Sequence, residues 1–363
     1  MNPKFTLSKS KVLEQYHKVS SVADMISYSS KTNSLVTLIL EKETDCLFSV
    51  HLINELKNVE DKSRVLFLAQ AWDEEQIKQL AEQGINKFVI DNEVDLDTLI
   101  KFLESNEVRI NLLLRLKLKE NTLRTEKYFV FGMTSEIVIR KIRELKNHPG
   151  INQLGIHFHR KTQNLAEWNY AYELSQIFPP DVLESIQVIN MGGGLPSEYA
   201  NTNVNVFPGI FTKITEFKSW LREKEIKLIL EPGRFIAAPA GKLHTTIIAI
   251  YDHNIIINAS VYNSDMDALI VPVKLLVEGE LTKEEATERQ GTERQGTEGD
   301  TTERQGKPYV IKGITPCSLD LFRYRVYLNN PKVGDRLVFL NAGAYNFTTD
   351  FCDLEKIKTE IAE

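Results

Sequence analysis

Residues 25–33 read MISYSSKTN, an apolar run that ends on Lys31 among small polar residues. Such a run, bounded by turn residues and followed by an amphipathic stretch, is typical of a strand that leads into a helix. Helical stretches such as DEEQIKQLAEQG (73–84) and TSEIVIRKIRELKNH (134–148) separate similar runs further along the chain. Eight strands are predicted, at 25–33, 46–50, 64–69, 87–91, 109–116, 153–159, 185–194 and 227–234. Eight β/α repeats in about 210 residues predict a (β/α)8 TIM barrel.

A second pattern begins after Ala240, where helical stretches give way to strand-like runs separated by turn residues. The runs are HTTIIAIYD (244–252), NIIINASVY (254–262), LIVPVKLLVE (269–278), KPYVIKG (307–313), FRYRVYL (322–328) and RLVFLNA (336–342). We therefore expect a barrel over 24–238 and a C-terminal all-β domain over 239–363. Part of the N-terminal segment, 1–23, is expected to pair with the β domain.

The composition argues against several classes of protein. With 42% hydrophobic residues the chain can bury a large core, and its net charge of −6 offers no basic surface for nucleic acid. No apolar run approaches 18 residues, and the N-terminus lacks a signal-peptide core. We therefore expect a cytoplasmic protein without a nucleic-acid or membrane partner.

The three cysteines, Cys46, Cys317 and Cys352, are too few for a disulfide framework and have no metal-ligand spacing. They are expected to be reduced thiols. His157 and His159 share one face of a strand, but no third ligand is evident, and no metal is predicted.

The pentapeptide TERQG occurs at 287–291, 292–296 and 302–306. A charged, glycine-containing repeat without an apolar anchor cannot bury enough surface to fold. We expect a mobile low-complexity loop near 285–306.

Polar residues collect where the predicted barrel strands end. They are Lys31, Arg115, His157, His159, the glycines 192–194, Glu231 and Arg234. Each also suits an ordinary role, such as a solvated strand end for Lys31, a core histidine for His159 or a surface ion pair for Arg234. Their common position at the C-terminal face favours an active site, because (β/α)8 barrels form their sites there.

Two motifs indicate the kind of ligand. INMGGGLP (189–196) is either a tight corner or a cradle whose backbone N–H groups can approach an anion. LILEPGRFIAAPAG (228–241) presents Glu231 and Arg234 across a Pro-Gly turn. A carboxylate and a guanidinium suit a ligand with a cationic ring nitrogen at one end and a phosphate at the other, as in pyridoxal phosphate.

In these motifs the sequence resembles the fold type III pyridoxal phosphate decarboxylases, which act on ornithine, arginine, diaminopimelate or carboxynorspermidine and are related to alanine racemase. The motifs that carry the resemblance are, in order, YSSKTN (28–33), GIHFH (155–159), NMGGGLP (190–196), EPGR (231–234), PCSLD (316–320) and NAGAY (341–345). They span nearly the whole chain. The resemblance implies an alanine racemase-like barrel with a β domain, and a lyase of amino-acid metabolism or polyamine biosynthesis.

The resemblance also implies residue roles. Lys31 would bond covalently to the cofactor, and a lysine desolvated in a pocket loses its proton more easily. His159 would stack on the ring, and Glu231 would pair with the pyridine nitrogen. Thr162, Gly194, Arg234 and Tyr345 would hold the phosphate. The full cofactor-binding set is Lys31, Arg115, His159, Thr162, Gly193, Gly194, Glu231, Pro232, Gly233, Arg234 and Tyr345.

The catalytic residues that the resemblance implies are Lys31, His159 and Cys317. Cys317 would return a proton to the substrate, and Cys317 with Asp320 would contact it. In the family this cysteine comes from the neighbouring subunit, which implies a homodimer with shared active sites.

The sequence departs from the family pattern at three places. Ser49 stands where the family often has an aspartate, and an ungapped alignment places Pro316 at the cysteine position, although a shift of one residue restores Cys317. Ala259 replaces the first of two aspartates that bind a distal ammonium, and no acid follows Cys317. Simple ornithine or lysine is therefore less favoured, because a buried ammonium needs a carboxylate, unless Asp265 or Asp267 supplies one. The expected substrate is a basic, diamino or carboxylated polyamine-type amino acid.

Two alternatives remain open. An amino-acid racemase of the same fold needs a tyrosine base opposite the lysine, for which Tyr262 is the candidate. A catalytically silent regulatory homologue is the other.

Overall fold

The computed structural model of the protein describes residues 2–118, 131–286 and 308–363. The chain divides into two compact units. The barrel unit comprises Val12–Pro196 and Asn203–Ile236, and the β unit comprises Met1–Lys11, Ser197–Thr202 and Ala237–Glu363. The TERQG repeats lie outside the described residues, so the expected loop near 285–306 stays a prediction.

The barrel unit contains a closed barrel of eight parallel strands, and all eight predicted strands are confirmed. The strands are β2 (Met25–Ser29), β3 (Leu47–Val50), β4 (Val65–Ala69), β5 (Lys87–Ile90), β6 (Ile110–Arg115), β7 (Ile151–His157), β8 (Val188–Asn190) and β9 (Lys227–Leu230). The ring closes where Met25 and Ile26 of β2 pair with Ile229 and Leu230 of β9. Because the strands are parallel, their C-terminal ends share one face.

Helices follow most of these strands. They are α1 (Lys9–Ser20), α2 (Ser34–Glu43), α3 (Glu74–Glu82), α4 (Glu93–Ser105), α5 (Ser135–Leu145), α6 (Tyr170–Ile177), α7 (Pro180–Leu183), α8 (Phe207–Arg222) and α9 (Arg234–Ala240). Local sequence explains where they begin: Asp73 and Gln76 form a reciprocal capping box at α3. Over the part of the barrel that the structure describes, the β/α alternation is interrupted between β3 and β4, where the chain forms two 3-10 helices, Ile53–Asn58 and Lys62–Arg64.

Apolar side chains fill part of the barrel interior. Leu66, Val89, Leu113, Val188 and Ile229, each from a different strand, form one buried cluster. Layers of this kind make the inside of a (β/α)8 barrel a packed core. A ligand can therefore bind only at the ends of the strands.

The β unit is built on an eight-stranded sheet. Its strands are β1 (Lys4–Ser8), β10 (Gly241–Tyr251), β11 (Asn254–Ile257), β12 (Leu276–Val277), β13 (Tyr309–Lys312), β14 (Leu321–Val326), β15 (Arg336–Leu340) and β16 (Lys358–Ala362). The order is β12-β15-β10-β11-β13-β14, and β1 pairs with both β10 and β16.

Two of the predicted β-domain strands were wrong over part of their length. Residues 261–262 of the 254–262 prediction begin α10 (Val261–Ser264), and α11 (Asp267–Ile270) overlaps the start of the 269–278 prediction. The Ser260 side chain caps α10 together with Asn263, which favours a helix over a continued strand. Among the described residues, no helix is both long and apolar enough to cross a membrane.

Candidate active site

Lys31 lies directly beyond the C-terminal end of β2, in the single-turn 3-10 helix Ser30–Thr32. The Asn33 side chain accepts a hydrogen bond from Leu35 N–H at 3.0 Å and so starts α2 immediately afterwards. Lys31 keeps accessible surface at the barrel mouth. The surrounding protein atoms still lower the pKa of its ammonium by desolvation, against the opposing effect of Glu231 and Glu55.

Glu231 follows β9 and is only 5% exposed. One carboxylate oxygen accepts hydrogen bonds from Ser49 Oγ at 2.9 Å and Asn190 Nδ2 at 2.8 Å, and the other lies 3.4 Å from His157 Nε2. Burial alone would raise the pKa of Glu231, but His157 and the Asn190 amide outweigh it and lower the pKa. The side chain is therefore a buried carboxylate anion at neutral pH.

The triple-glycine turn after β8 runs beside Glu231. Gly192 has a φ of +69°, and a Cβ there would collide with the Phe158 carbonyl. A Cβ at Gly193 would lie 2.7 Å from the Glu231 carbonyl oxygen. Only glycine allows this positive φ and this backbone approach without strain. Gly194 also has a positive φ, +96°.

Two histidines at the barrel mouth are neutral at physiological pH. Burial and the nearby Arg115 lower the pKa of His159 to about 4, and its Nδ1 accepts a hydrogen bond from Gly193 N–H at 3.2 Å. Burial and the charge of Lys31 lower the pKa of His51 to about 3. A neutral imidazole can lie against a flat ring without adding a positive charge there.

The remaining cofactor candidates of the barrel unit also lie at this face. Arg115, at the end of β6, forms a 2.8 Å ion pair with Asp91 and lies 4.9 Å from the ring centroid of Phe131. Thr162 is exposed in the turn after β7. Arg234 is buried at the start of α9, directly after Pro232 and Gly233. The structure thus brings together Lys31, Arg115, His159, Thr162, Gly193, Gly194, Glu231, Pro232, Gly233 and Arg234.

Buried polar atoms without hydrogen-bond partners mark the same face. Within the described part of the chain they include Thr32 Oγ1, His51 Nδ1, Glu55 Oε2 and His157 Nδ1. Buried polar atoms are nearly always paired in folded proteins, so a cluster of such exceptions indicates where a ligand belongs. The glycine turn, the neutral imidazole and the buried carboxylate fit a ligand that has a phosphate, a flat ring and a ring nitrogen.

The β unit carries the other three predicted residues. Cys317 Sγ and the Tyr262 hydroxyl lie 3.2 Å apart, and Phe351 stacks on the Tyr262 ring with centroids 4.0 Å apart. The hydrogen bond from Tyr262 lowers the pKa of Cys317, and the same bond raises the pKa of Tyr262 to about 12. Tyr345 lies beyond β15 with a positive φ of 51°.

Asp320 does not have the environment expected of a substrate contact. It is 2% exposed, and its oxygens accept hydrogen bonds from Val261 N–H at 2.9 Å, Thr315 N–H at 3.0 Å and Thr315 Oγ1 at 2.7 Å. The carboxylate holds the loop that carries Cys317 against the start of α10. Its hydrogen-bonding capacity is used within the β unit.

Sequence reasoning missed His51, Glu55 and Asn190 as members of the site. His51 and Asn190 stand at strand ends, which is the same signal that identified Lys31. Ser29 pairs with Ser49, so Lys31 and His51 each lie two residues beyond a paired position of neighbouring strands. Glu55 follows four residues later in a 3-10 helix, and no sequence pattern marked it. Among the described residues, no cluster of three or more histidine, cysteine or acidic side chains could hold a metal ion.

Comparison with known proteins gives a consistent result. The family model "Pyridoxal-dependent decarboxylase, pyridoxal binding domain" matches residues 9–238. Diaminopimelate decarboxylase of Halalkalibacterium halodurans is 24% identical over 263 residues, covering 66% of this chain and 60% of that protein. Antizyme inhibitor 2 of Xenopus laevis is 21% identical over 292 residues, covering 78% of this chain and 62% of that protein. The chain thus spans about three fifths of the length of these curated relatives.

A solved structure shows the same fold over nearly the whole chain. It is lysine/ornithine decarboxylase from Vibrio vulnificus, complexed with cadaverine. The match has a TM-score of 0.77 at 20% identity and covers 99% of this chain and 93% of that one.

Proposed function

The chain belongs to the pyridoxal-dependent decarboxylase family, and we propose that it removes the α-carboxylate of an amino acid to give an amine and carbon dioxide. The cofactor is the family's, pyridoxal 5′-phosphate. The observation that carries the proposal is the buried Glu231 carboxylate, which accepts hydrogen bonds from Ser49 and Asn190 beside the triple-glycine turn and acts electrostatically on Lys31. We propose the cytoplasm as the location.

We propose that the eleven predicted cofactor-binding residues hold the cofactor. Lys31 would bind its aldehyde group, and His159 would lie against the ring. Glu231 would accept a hydrogen bond from the ring nitrogen, and Arg115, Pro232 and Gly233 would line the site. Thr162, Gly193, Gly194, Arg234 and Tyr345 would hold the phosphate. We propose residues 24–238 as the cofactor-binding domain and 239–363 as the β domain.

The bound cofactor supplies an electron sink for the electron pair left behind when the carboxylate departs. The protein's own residues make that sink effective. Ser49 and Asn190 hold the Glu231 carboxylate in one orientation, and its low pKa keeps it an acceptor for a protonated ring nitrogen. The lowered pKa of Lys31 leaves more of its amine in the nucleophilic, uncharged form at neutral pH.

Cys317 is proposed as the acid that returns a proton to the substrate carbon. Its thiol is paired with the Tyr262 hydroxyl, which stabilises the thiolate that remains after the proton is given up. Asp320 supports this role indirectly, because it fixes the loop on which Cys317 stands.

The proposed substrate class is a diamino acid. Its support is that the similar proteins are named for diaminopimelate and for lysine or ornithine. The same reaction on any of these substrates leaves the side chain unchanged, so the barrel residues serve all of them equally.

The racemase alternative is less well supported. It requires Tyr262 to act as a base, but the hydrogen bond to Cys317 raises the pKa of this phenol to about 12. A phenol of that pKa is protonated at neutral pH and cannot remove a proton efficiently. Loss of optical rotation without carbon dioxide release would contradict the decarboxylase proposal.

A silent, binding-only homologue is a second candidate, favoured by the match to antizyme inhibitor 2. A protein that acts only by binding has no need of a buried carboxylate anion and a lysine of lowered pKa. The two candidates differ in cofactor affinity, which titration of pyridoxal phosphate into the cofactor-free protein measures.

We propose a homodimer in which Cys317 serves the partner's site. The exposed apolar side chains of the β unit include Ile314, Leu319, Phe347 and Phe351. Ile314 and Leu319 lie close to Cys317 in sequence. Phe351 stacks on Tyr262, the residue whose hydroxyl lies next to the Cys317 thiol in the same chain. Exposed apolar groups around a reactive thiol suit a subunit interface.

Subunit mixing tests the shared site. Lys31→Ala and Cys317→Ala dimers are each expected to be inactive, and random reassortment of shared sites should restore about one quarter of wild-type activity. Inactive mixtures of properly dimeric variants would contradict the shared site. Sedimentation of each variant verifies the dimer.

Lys31→Ala tests the proposed function itself. Wild-type protein with pyridoxal phosphate should show an absorption band at the visible edge and, after borohydride reduction, a cofactor-sized mass increase on the peptide containing Lys31. The variant should lose both, together with carbon dioxide release from a panel of diamino acids. Lys87→Ala is the matched control, because Lys87 also has a pKa lowered by desolvation but is the first residue of β5, at the opposite face of the barrel. An unchanged spectrum in Lys31→Ala would refute the assignment.

A further inference from the structure

Asn190 links the two turns of the proposed cofactor site. It is the last residue of β8 and is completely buried. Its Nδ2 donates to Glu231 Oε1 at 2.8 Å, and its Oδ1 accepts from Gly192 N–H at 2.8 Å. One side-chain amide therefore contacts both the buried carboxylate and the first residue of the triple-glycine turn.

The chemistry of the two partners fixes the orientation of this amide. A backbone N–H can only donate, and an ionised carboxylate can only accept. If the amide were reversed, its NH2 group would face the Gly192 N–H and its oxygen would face the Glu231 carboxylate. Neither hydrogen bond could then form. An uncharged side chain with one donor and one acceptor is therefore required at this position, and an ionised aspartate could satisfy only the glycine turn.

The backbone joins the same two turns. Met191 N–H donates to Ile229 O at 3.1 Å, and Glu231 N–H donates to Gly192 O at 2.8 Å, so the pairing of β8 with β9 continues beyond the strands. Backbone pairing sets the distance between the turns but leaves the Glu231 side chain free to rotate. The Asn190 amide removes that freedom.

We propose that Asn190 is a positioning residue that holds the triple-glycine turn and the Glu231 carboxylate together as one receptor for the two ends of the cofactor. This inference rests on the proposed function. A rigid ligand with a phosphate at one end and a ring nitrogen at the other binds best when both receptor groups are already correctly spaced.

Ser49 provides a matched comparison. Its hydroxyl donates to the same Glu231 oxygen at 2.9 Å, and its other contact is Ser27 Oγ at 2.8 Å, away from the glycine turn. Ser49→Ala thus removes support from the carboxylate alone, whereas Asn190→Ala removes support from the carboxylate and the turn.

The experiment compares pyridoxal phosphate with pyridoxal, which lacks the phosphate. Dissociation constants of both ligands are measured for wild type, Ser49→Ala and Asn190→Ala. The phosphate ratio, which is the constant for pyridoxal divided by the constant for pyridoxal phosphate, reports the contribution of the phosphate to binding. A hydrogen bond to a charged group is worth enough to change affinity by about tenfold. Ser49→Ala should weaken both ligands by about this factor with an unchanged ratio. Asn190→Ala should weaken pyridoxal phosphate by about ten times more than it weakens pyridoxal.

Asn190→Asp is the second variant, because it preserves size and can still accept from Gly192 N–H. Its phosphate ratio should stay at the wild-type value, while binding of both ligands weakens at pH 8 and recovers towards pH 6. The recovery is expected because repulsion between two adjacent carboxylates raises the pKa of one of them. The proton that is taken up as the pH falls then restores a donor between residue 190 and Glu231. Thr245→Val, which removes a buried 2.9 Å hydrogen bond to Leu337 O in the β unit, controls for a general loss of stability.

An unchanged phosphate ratio in Asn190→Ala, or pH-independent binding in Asn190→Asp, would overturn the positioning role while leaving the proposed function intact. Failure of wild-type protein to bind pyridoxal phosphate would overturn both. A phosphate ratio that falls equally in Thr245→Val would assign the effect to stability and so reject the inference.

Discussion

Gly193→Ala tests the close approach of the two turns that form the candidate site. The added Cβ would lie 2.7 Å from the Glu231 carbonyl oxygen. The backbone fixes the positions of both atoms, so neither can rotate away. The turns must separate by several tenths of an ångström. Overpacking of this kind costs about 1–3 kcal/mol of folding free energy. For a domain of the barrel's size this corresponds to a melting temperature lowered by roughly 2–12 °C.

Cofactor affinity should fall as well, because the displaced backbone is the proposed phosphate cradle. The assay is thermal unfolding of the cofactor-free protein followed by titration with pyridoxal phosphate. Gly209→Ala is the control: Gly209 lies in the first turn of α8 with no atom within 4 Å of its added Cβ. Alanine there should stabilise the protein by about 0.5 kcal/mol. A Gly193→Ala protein with wild-type melting temperature and affinity would refute the geometry of the two turns.

The remaining predictions concern titratable groups. The pKa values of His51 and His159, about 3 and about 4, lie below those of unfolded histidine, so the unfolded chain binds protons first as the pH falls. The free energy of unfolding should therefore decrease from about pH 6.5 towards pH 4. His159→Asn should reduce the slope of the denaturant midpoint plotted against pH, and an unchanged slope would contradict the low pKa of His159. Tyr262→Phe should raise the pKa of Cys317 and slow its alkylation by iodoacetamide several-fold at pH 7.5, measured in a Cys352→Ser background, whereas an equal rate would show that the hydrogen bond does not act on the thiol.

The barrel could be predicted because each strand carries its own local signal. Within the predicted runs, VLFLA (65–69) and LLL (112–114) are apolar without interruption, as is typical of strands buried on both faces. The 3-10 segments after β3 could not be predicted in this way, because the stretch HLINELKN has helical composition and its short turns follow from tertiary packing. The α10 helix was missed for a related reason: the residues before it continue the β pattern, and the capping interaction of Ser260 with Asn263 overrides that pattern.

The candidate site could be predicted from motifs that have few alternative structural roles. A glycine triplet after a strand and a carboxylate next to Pro-Gly are such cases, and the structure brings both to one face. The strand-end position of Asn190 was a usable signal, but its partners could not be predicted, because a buried asparagine has many possible hydrogen-bond partners in sequence. Its role depends on the orientation of the amide relative to Gly192 and Glu231, which only the three-dimensional structure reveals.

Among the acids considered from sequence, Asp320 has a carboxylate with a structural role in the β unit. A distal ammonium needs a carboxylate with an accessible oxygen. Asp265 and Asp267 are each 3% exposed, and Asp320 is 2% exposed with three donors on its oxygens. Ala259, which stands at a family aspartate position, is buried as well. The carboxylate of Asp320 stabilises the β unit internally, so replacing this residue should lower stability before it changes the preference among diamino acids.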